Sequence, residues 1–341
     1  MDNSLLAVRD INHIYIVVEG IKVYMKDNYG REISYLRLSV TEKCNLRCRY
    51  CMPEEGICQK RHEDMMREEE MIQAVKAAAS LGIRKVRITG GEPLVKKNIV
   101  SICEKVSQVE GIQETCLTTN GTLLPELAKP LWDAGVSRLN ISLDTLDKNK
   151  YKYITRRDDL EKVFEGIETA LEIGYKRIKI NTVLIGGFND NEIEALANLT
   201  RLYPVDVRFI ELMPMWDNVE FGPQAYVPCS KVLEVLPGLT PIEKGDGVAQ
   251  LYKLPDAEGN IGLISPISSH FCESCNRIRL TADGKLKPCL HSSQEYSIKG
   301  MNYEDMAATM QEAILAKPSC HVPLSAEEHS EAGRSMNQIG G

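Results

Sequence analysis

Six of the chain's eleven cysteines fall into two short-spaced groups. Cys44, Cys48 and Cys51 are spaced C-x3-C-x2-C, and Cys272, Cys275 and Cys289 are spaced C-x2-C-x13-C. In a long chain such spacing signals metal binding or reactivity more often than a disulfide framework, which belongs to small secreted domains. Neither group has a fourth cysteine. A tetrahedral zinc site would have to borrow an imidazole: His62 for the first group, His270 or His291 for the second. A four-iron, four-sulfur cluster on three thiolates would instead leave one iron open for a ligand, which is a catalytic arrangement. Cys58, Cys103, Cys116, Cys229 and Cys320 stand apart and are expected to be buried small apolar residues.

Charge supplies the second signal. In "CNRIRLTADG" Arg277 and Arg279 are two residues apart, so a strand presents both on one face beside the metal group. Paired guanidinium groups suit a phosphate-rich ligand, because each can grip an anion with two hydrogen bonds. Arg37, Lys85, Arg87 and Lys179 lie in β-rich runs and could add charge from the other side. A basic cavity would be a local exception in a chain of formal net charge −7, a balance that argues against a broad nucleic-acid footprint. No apolar run approaches the roughly 20 residues of a membrane helix, and the N-terminus lacks a signal-peptide pattern, so a cytoplasmic location is expected.

These residues need elements to position them. Six β-rich runs begin at Ile33, Lys85, Thr115, Arg138, Arg177 and Val205. Helical patterns lie between them, such as Glu68 to Gly82 with Met71, Val75, Ala78 and Leu81 on one face. Strands separated by helices predict a parallel sheet, with chemistry beyond the strands' carboxyl ends. Those ends carry "GGEP" (Gly90 to Pro93), "TNG" (Thr119 to Gly121), "SLDT" (Ser142 to Thr145) and "ELMPM" (Glu211 to Met215). The glycines of GGEP would let backbone approach a ligand closely. After Pro214 the pattern changes to short β runs around Leu251 and Ile261, the second cysteine group and a helix near Tyr303 to Ala316.

C-x3-C-x2-C with Tyr50 before its last cysteine, followed by GGEP at the end of the next strand, resembles the radical S-adenosylmethionine (SAM) superfamily. Within it, "RLSVTEKCNLRCRYCMP", "RITGGEPL", "FCESCNRIRLTADGKLKPCL" and the terminal "GG" are similar to the GTP 3′,8-cyclase family of molybdenum cofactor biosynthesis, from about Met25 to Gly341. The resemblance implies an α/β fold: an incomplete (β/α)6 TIM barrel over 25–215, and a C-terminal region over 216–341 carrying a second iron–sulfur cluster. Residues 1–24 are an N-terminal extension to which no role is assigned.

By the same resemblance, Cys44, Cys48 and Cys51 hold one [4Fe–4S] cluster and Cys272, Cys275 and Cys289 another. Tyr50, Gly91, Ser142 and Met213 contact SAM. Arg37, Lys85, Arg87, Thr118 and Lys179 contact GTP, Arg277 and Arg279 grip its triphosphate, and Gly340 and Gly341 reach into the active site. A 5′-deoxyadenosyl radical would take the C3′ hydrogen of GTP, yielding (8S)-3′,8-cyclo-7,8-dihydroguanosine 5′-triphosphate. The implied partners are a flavodoxin or ferredoxin as reductant and a downstream cyclic pyranopterin monophosphate synthase; the oligomeric state, a homodimer included, stays open. Two rivals remain: a radical SAM peptide-modifying enzyme with an auxiliary cluster, and a zinc-stabilised binding protein without catalysis.

Overall fold

The computed structural model describes residues 7–10, 13–16, 25–56, 60–215, 221–243, 247–325 and 330–340. Near the N-terminus, β1 (Ala7–Asp10) and β2 (His13–Ile16) form a separate antiparallel pair. Six strands then run parallel in chain order: β3 (Tyr35–Ser39), β4 (Lys85–Thr89), β5 (Glu114–Thr119), β6 (Val136–Ser142), β7 (Ile178–Leu184) and β8 (Val205–Glu211). They match the six expected runs. Parallel neighbours need crossovers, and every crossover here carries a helix. These are α1 (Glu68–Ser80), α2 (Ile99–Ser107), α3 (Leu124–Asp133), the pair α4 (Lys148–Thr155) and α5 (Leu160–Ile173), and α6 (Ile193–Leu202).

The remaining elements are α7 (Ser230–Val235), β9 (Thr240–Pro241), β10 (Gln250–Lys253), β11 (Ile261–Ile264), β12 (Arg277–Leu280), β13 (Lys285–Lys287), β14 (Tyr296–Ser297), α8 (Tyr303–Leu315) and α9 (Met336–Ile339). They do not build a separate sheet. β11 joins parallel to β8, and β12 joins parallel to β3, so segment 216–341 extends both edges of the barrel sheet. The full order is β14-β13-β12-β3-β4-β5-β6-β7-β8-β11-β10-β9. Both cysteine groups are thereby tied to one continuous sheet.

Alternation decides which residues face which side. Leu36, Leu38, Val86, Ile88, Ile278 and Leu280 are buried in one apolar core with residues of the flanking helices. Their neighbours in sequence necessarily point to the other face. Register lines these up across strands: Arg279 pairs with Arg37 and Arg37 with Arg87, while Thr118, Asn140, Lys179 and Asp206 form another row. A one-residue slip would bury these charges among the helices, so the apolar face fixes the register.

Candidate active site

Cys44, Cys48 and Cys51 lie in the loop after β3. The Gly90–Pro93 turn after β4 holds this loop: Gly91 N donates to Thr41 O at 2.8 Å and Glu92 N to Lys43 O at 2.8 Å. A Cβ on Gly91 would sit 2.5 Å from Lys43 O and 2.6 Å from Glu42 O. Glycine at position 91 is thus required by the approach of the cysteine loop itself, a reason beyond the ligand approach expected from sequence. Glu92, 1% exposed, accepts from Leu94 N, Thr119 Oγ1 and Asn120 N at 2.6–2.9 Å, joining this turn to the next. Burial pushes its carboxyl up to about 7. Asn120 in turn donates to Asn45 Oδ1 at 2.8 Å, so two strand ends clamp the loop.

Tyr50 donates its hydroxyl hydrogen to Asp144 Oδ2 at 2.7 Å, at the end of β6, and Ser142 pairs with Asn181 of β7. Burial raises the Cys44 thiol to about 11 and the Cys48 thiol well above its ordinary value, with Cys51 and Cys44 adding to the shift at Cys48. Three half-buried thiols in one loop, with Cys48 near enough to feel both of the others, fit a metal centre, which would displace their protons on binding. His62 lies exposed in a short 3-10 turn.

A cavity of about 1040 Å³ runs from β12 across the sheet to β8. It is lined by Arg37, Lys85, Arg87, Lys179, Arg277, Arg279, Met213 and the thiols of Cys272, Cys275 and Cys289. Arg87 donates to the Tyr35 hydroxyl and to Thr118 Oγ1 (3.3 Å). Burial would raise the Tyr35 phenol, but Arg87, Arg37 and Arg277 outweigh it and bring it to about 8. Burial, then the neighbouring Arg277, pulls Arg279 down to about 10; burial, then Arg208, pulls Lys179 down to about 8. Lys179 is ion-paired with Asp206 at 3.0 Å, and Lys85 with Glu114 at 2.5 Å. The Nε atoms of Arg208 and Arg277 and the Oδ1 atoms of Asn140 and Asn181 are buried with no hydrogen-bond partner among the described residues. Like charges gathered with unsatisfied polar atoms cost stability and suit a ligand whose anionic oxygens accept from the guanidinium groups and whose own N–H or O–H groups donate to the amide oxygens.

The second cysteine group forms the cavity wall under β12. Burial would raise Cys275, but Lys317 and Arg277 outweigh it and hold the thiol below its usual range. For Cys272, hydrogen bonding by His321 likewise overcomes burial and brings the thiol to about 7. Cys103, Cys116 and Cys229 are buried as expected, and Cys58 lies outside the described residues. Cys320 departs from expectation: it is exposed, and its side chain hydrogen-bonds with that of Cys272. Chain separation hid this, since α8 intervenes between the two groups.

The tail enters from the other side. Gly340 is buried at φ +87°, and its carbonyl accepts from Arg279 Nη1 at 2.7 Å. Ile339 and Met336 pack with Met213 and Met215 of the ELMPM segment. Gly341 lies outside the described residues. Sequence reasoning missed Arg138, Asn140, Asn181 and Arg208, all of which line the cavity. The signal was present as alternation in "RLNIS", "RIKIN" and "VDVRF", where polar residues recur every second position.

Two families match the chain: the Radical SAM superfamily over residues 38–200, and Molybdenum Cofactor Synthesis C over residues 205–322. The GTP 3′,8-cyclase of Alkaliphilus oremlandii (strain OhILAs) is 48% identical over 321 residues, covering 93% of this chain and 100% of that protein. The GTP 3′,8-cyclase of Peptoclostridium acidaminophilum is 49% identical over 325 residues, covering 94% and 99%. Among solved structures, Streptococcus suis SuiB bound to S-adenosylmethionine shares the fold at a TM-score of 0.59 and 16% identity, over 79% of this chain and 64% of that one. With near-complete coverage at almost half identity, the chain belongs to the GTP 3′,8-cyclase family of the radical SAM superfamily.

Proposed function

We propose that the chain converts GTP to (8S)-3′,8-cyclo-7,8-dihydroguanosine 5′-triphosphate, the first step of molybdenum cofactor biosynthesis. The observation that carries this reading is the cavity lined by the second cysteine group, with its arginine rows and its buried, unsatisfied polar atoms. Cys44, Cys48 and Cys51 hold a [4Fe–4S] cluster, and Tyr50, Gly91, Ser142 and Met213 hold SAM. When bound, that cluster and SAM would supply hydrogen-atom abstraction at C3′ of the substrate. The protein's share is binding, orientation and exclusion of water.

Arg277 and Arg279 grip the triphosphate, helped by Arg37 and Arg87. Thr118, Lys179 and Lys85 fix the rest of the nucleotide, and Arg208 and Arg138 add charge to the same wall. Cys272, Cys275 and Cys289 would hold a second [4Fe–4S] cluster, which would offer the substrate an iron coordination position. Gly340 and Gly341 close the site from the C-terminal side. In this reading 25–215 carries the radical chemistry and 216–341 the auxiliary cluster and tail. A flavodoxin- or ferredoxin-type protein supplies the electron, and cyclic pyranopterin monophosphate synthase consumes the product. No helix among the described residues is long and apolar enough to cross a membrane.

Anaerobic incubation of the iron-reconstituted chain with SAM, dithionite and GTP, followed by mass analysis, tests the assignment. The expected result is 5′-deoxyadenosine together with a cyclised product isomeric with GTP. Release of 5′-deoxyadenosine with GTP untouched would instead favour a peptide substrate.

A further inference from the structure

We propose that His270, Cys320 and His321 bind one divalent zinc ion at the rim of the cavity, beside the Cys272–Cys275–Cys289 group and distinct from it. The ligand atoms of the three side chains lie within 4.8 Å of one another. Tetrahedral zinc with bonds of about 2.0–2.3 Å draws such atoms to under about 4 Å apart, a small closure for three side chains near the surface.

The imidazoles are already turned for the task. His321 Nδ1 lies 2.6 Å from Val322 O, and His270 Nδ1 lies 3.2 Å from Pro266 O. A carbonyl only accepts, so each Nδ1 carries the hydrogen; the Nε2 of His270 is left with its lone pair, while the His321 ring also hydrogen-bonds the Cys272 side chain, a contact that zinc binding must replace. This is the orientation that metal-binding histidines take when a backbone carbonyl fixes the tautomer. One thiolate with two imidazoles suits zinc and disfavours magnesium or calcium, which want oxygen.

The backbone that carries these ligands is held in advance. Buried Arg31, ion-paired with Asp27 at 2.5 Å, donates to Cys272 O (2.8 Å), Pro318 O (2.6 Å) and Ser319 O (3.0 Å). One guanidinium thus joins the cysteine turn to the segment bearing Cys320 and His321. A zinc ion there clasps that segment, which follows α8, over the second cysteine group. Three protein ligands leave a fourth position, open to water.

The test reads metal content in the absence of SAM and GTP, so its outcome is independent of the cyclisation assay. Full-length protein is reconstituted anaerobically with iron and sulfide, equilibrated with zinc, desalted and analysed for both metals. The expected result is one retained zinc per chain with iron content unchanged. Cys320→Ser and His321→Ala should each lose the zinc while keeping iron and cluster absorbance, which also reports that they fold. X-ray absorption at the zinc edge should show one sulfur among nitrogen and oxygen neighbours. Absence of retained zinc, equal zinc in both variants, or zinc gained only as iron is lost would overturn the proposal.

Discussion

Arg279 donates to the carbonyl oxygen of Gly340 at 2.7 Å, joining the C-terminal tail to the arginine row that faces the cavity. A Cβ on Gly340 would collide with Thr89 Oγ1 and lie 3.0 Å from Ser39 Cβ, and φ +87° disfavours any other residue. Gly340→Ala should therefore unseat the tail. The expected outcome is loss of most cyclised product with iron content unchanged, as for deletion of Gly340 and Gly341. Product formation at the wild-type rate in either variant would remove the tail from the mechanism.

A half-buried ion cluster latches that tail. Arg334 donates to both oxygens of Asp283 at 3.0–3.1 Å and to both of Glu295 at 2.6–2.7 Å, while Lys60 reaches Asp283 at 2.6 Å. Burial would raise Asp283, but the Lys60 and Thr281 hydrogen bonds and Arg334 bring it to about 2. A depressed carboxyl stabilises the fold above its unfolded value near 4, and that contribution disappears as pH falls to about 2. Asp283→Asn should melt lower than the wild type at neutral pH, the gap closing toward pH 2 in acid titrations of the metal-free chain. Arg334→Ala should lower product yield at full iron content, because the tail is released.

Arg277 illustrates a conflict between stability and binding. It lies beside Arg279 and depresses it, and its Nε is buried with no partner among the described residues. A charge-assisted hydrogen bond contributes about 1.5–3 kcal/mol, so Arg277→Met should weaken GTP binding by about tenfold or more. The same change relieves repulsion, and the ligand-free chain should melt no lower than wild type. Anaerobic calorimetry and thermal unfolding read the two effects separately, and unchanged GTP affinity would sever Arg277 from the nucleotide.

The barrel strands were legible because their alternation is local: "KVRIT" and "RIKINTV" show both the apolar face and the polar one. The joining of β12 to β3 was not. Arg277 pairs with Tyr35 across most of the chain, and nothing near either residue encodes that contact. For the same reason Arg138 and Arg208 went unassigned, since only the pairing of strands brings both to the cavity wall. Cys320 was misjudged on spacing, since folding, not proximity in sequence, brings it to Cys272. The cysteine groups and GGEP were visible because their function requires short spacing.

Gly91 gives the sharpest test of how the first cysteine loop is held. Its amide donates to Thr41 O, and an added methyl would meet the carbonyl oxygens of Lys43 at 2.5 Å and Glu42 at 2.6 Å. Backbone atoms cannot swing aside as a side-chain tip can, so the loop itself must move. Overpacking of this kind costs about 1–3 kcal/mol. The strain falls immediately before Cys44, so Gly91→Ala should lower iron bound at the first group and abolish SAM cleavage. The second group lies on the far side of the sheet strand β3 and should retain its iron. Iron titration in a Cys272→Ala, Cys275→Ala, Cys289→Ala background isolates the first site. If Gly91→Ala loads that background as fully as native glycine does, the loop is not held by this contact.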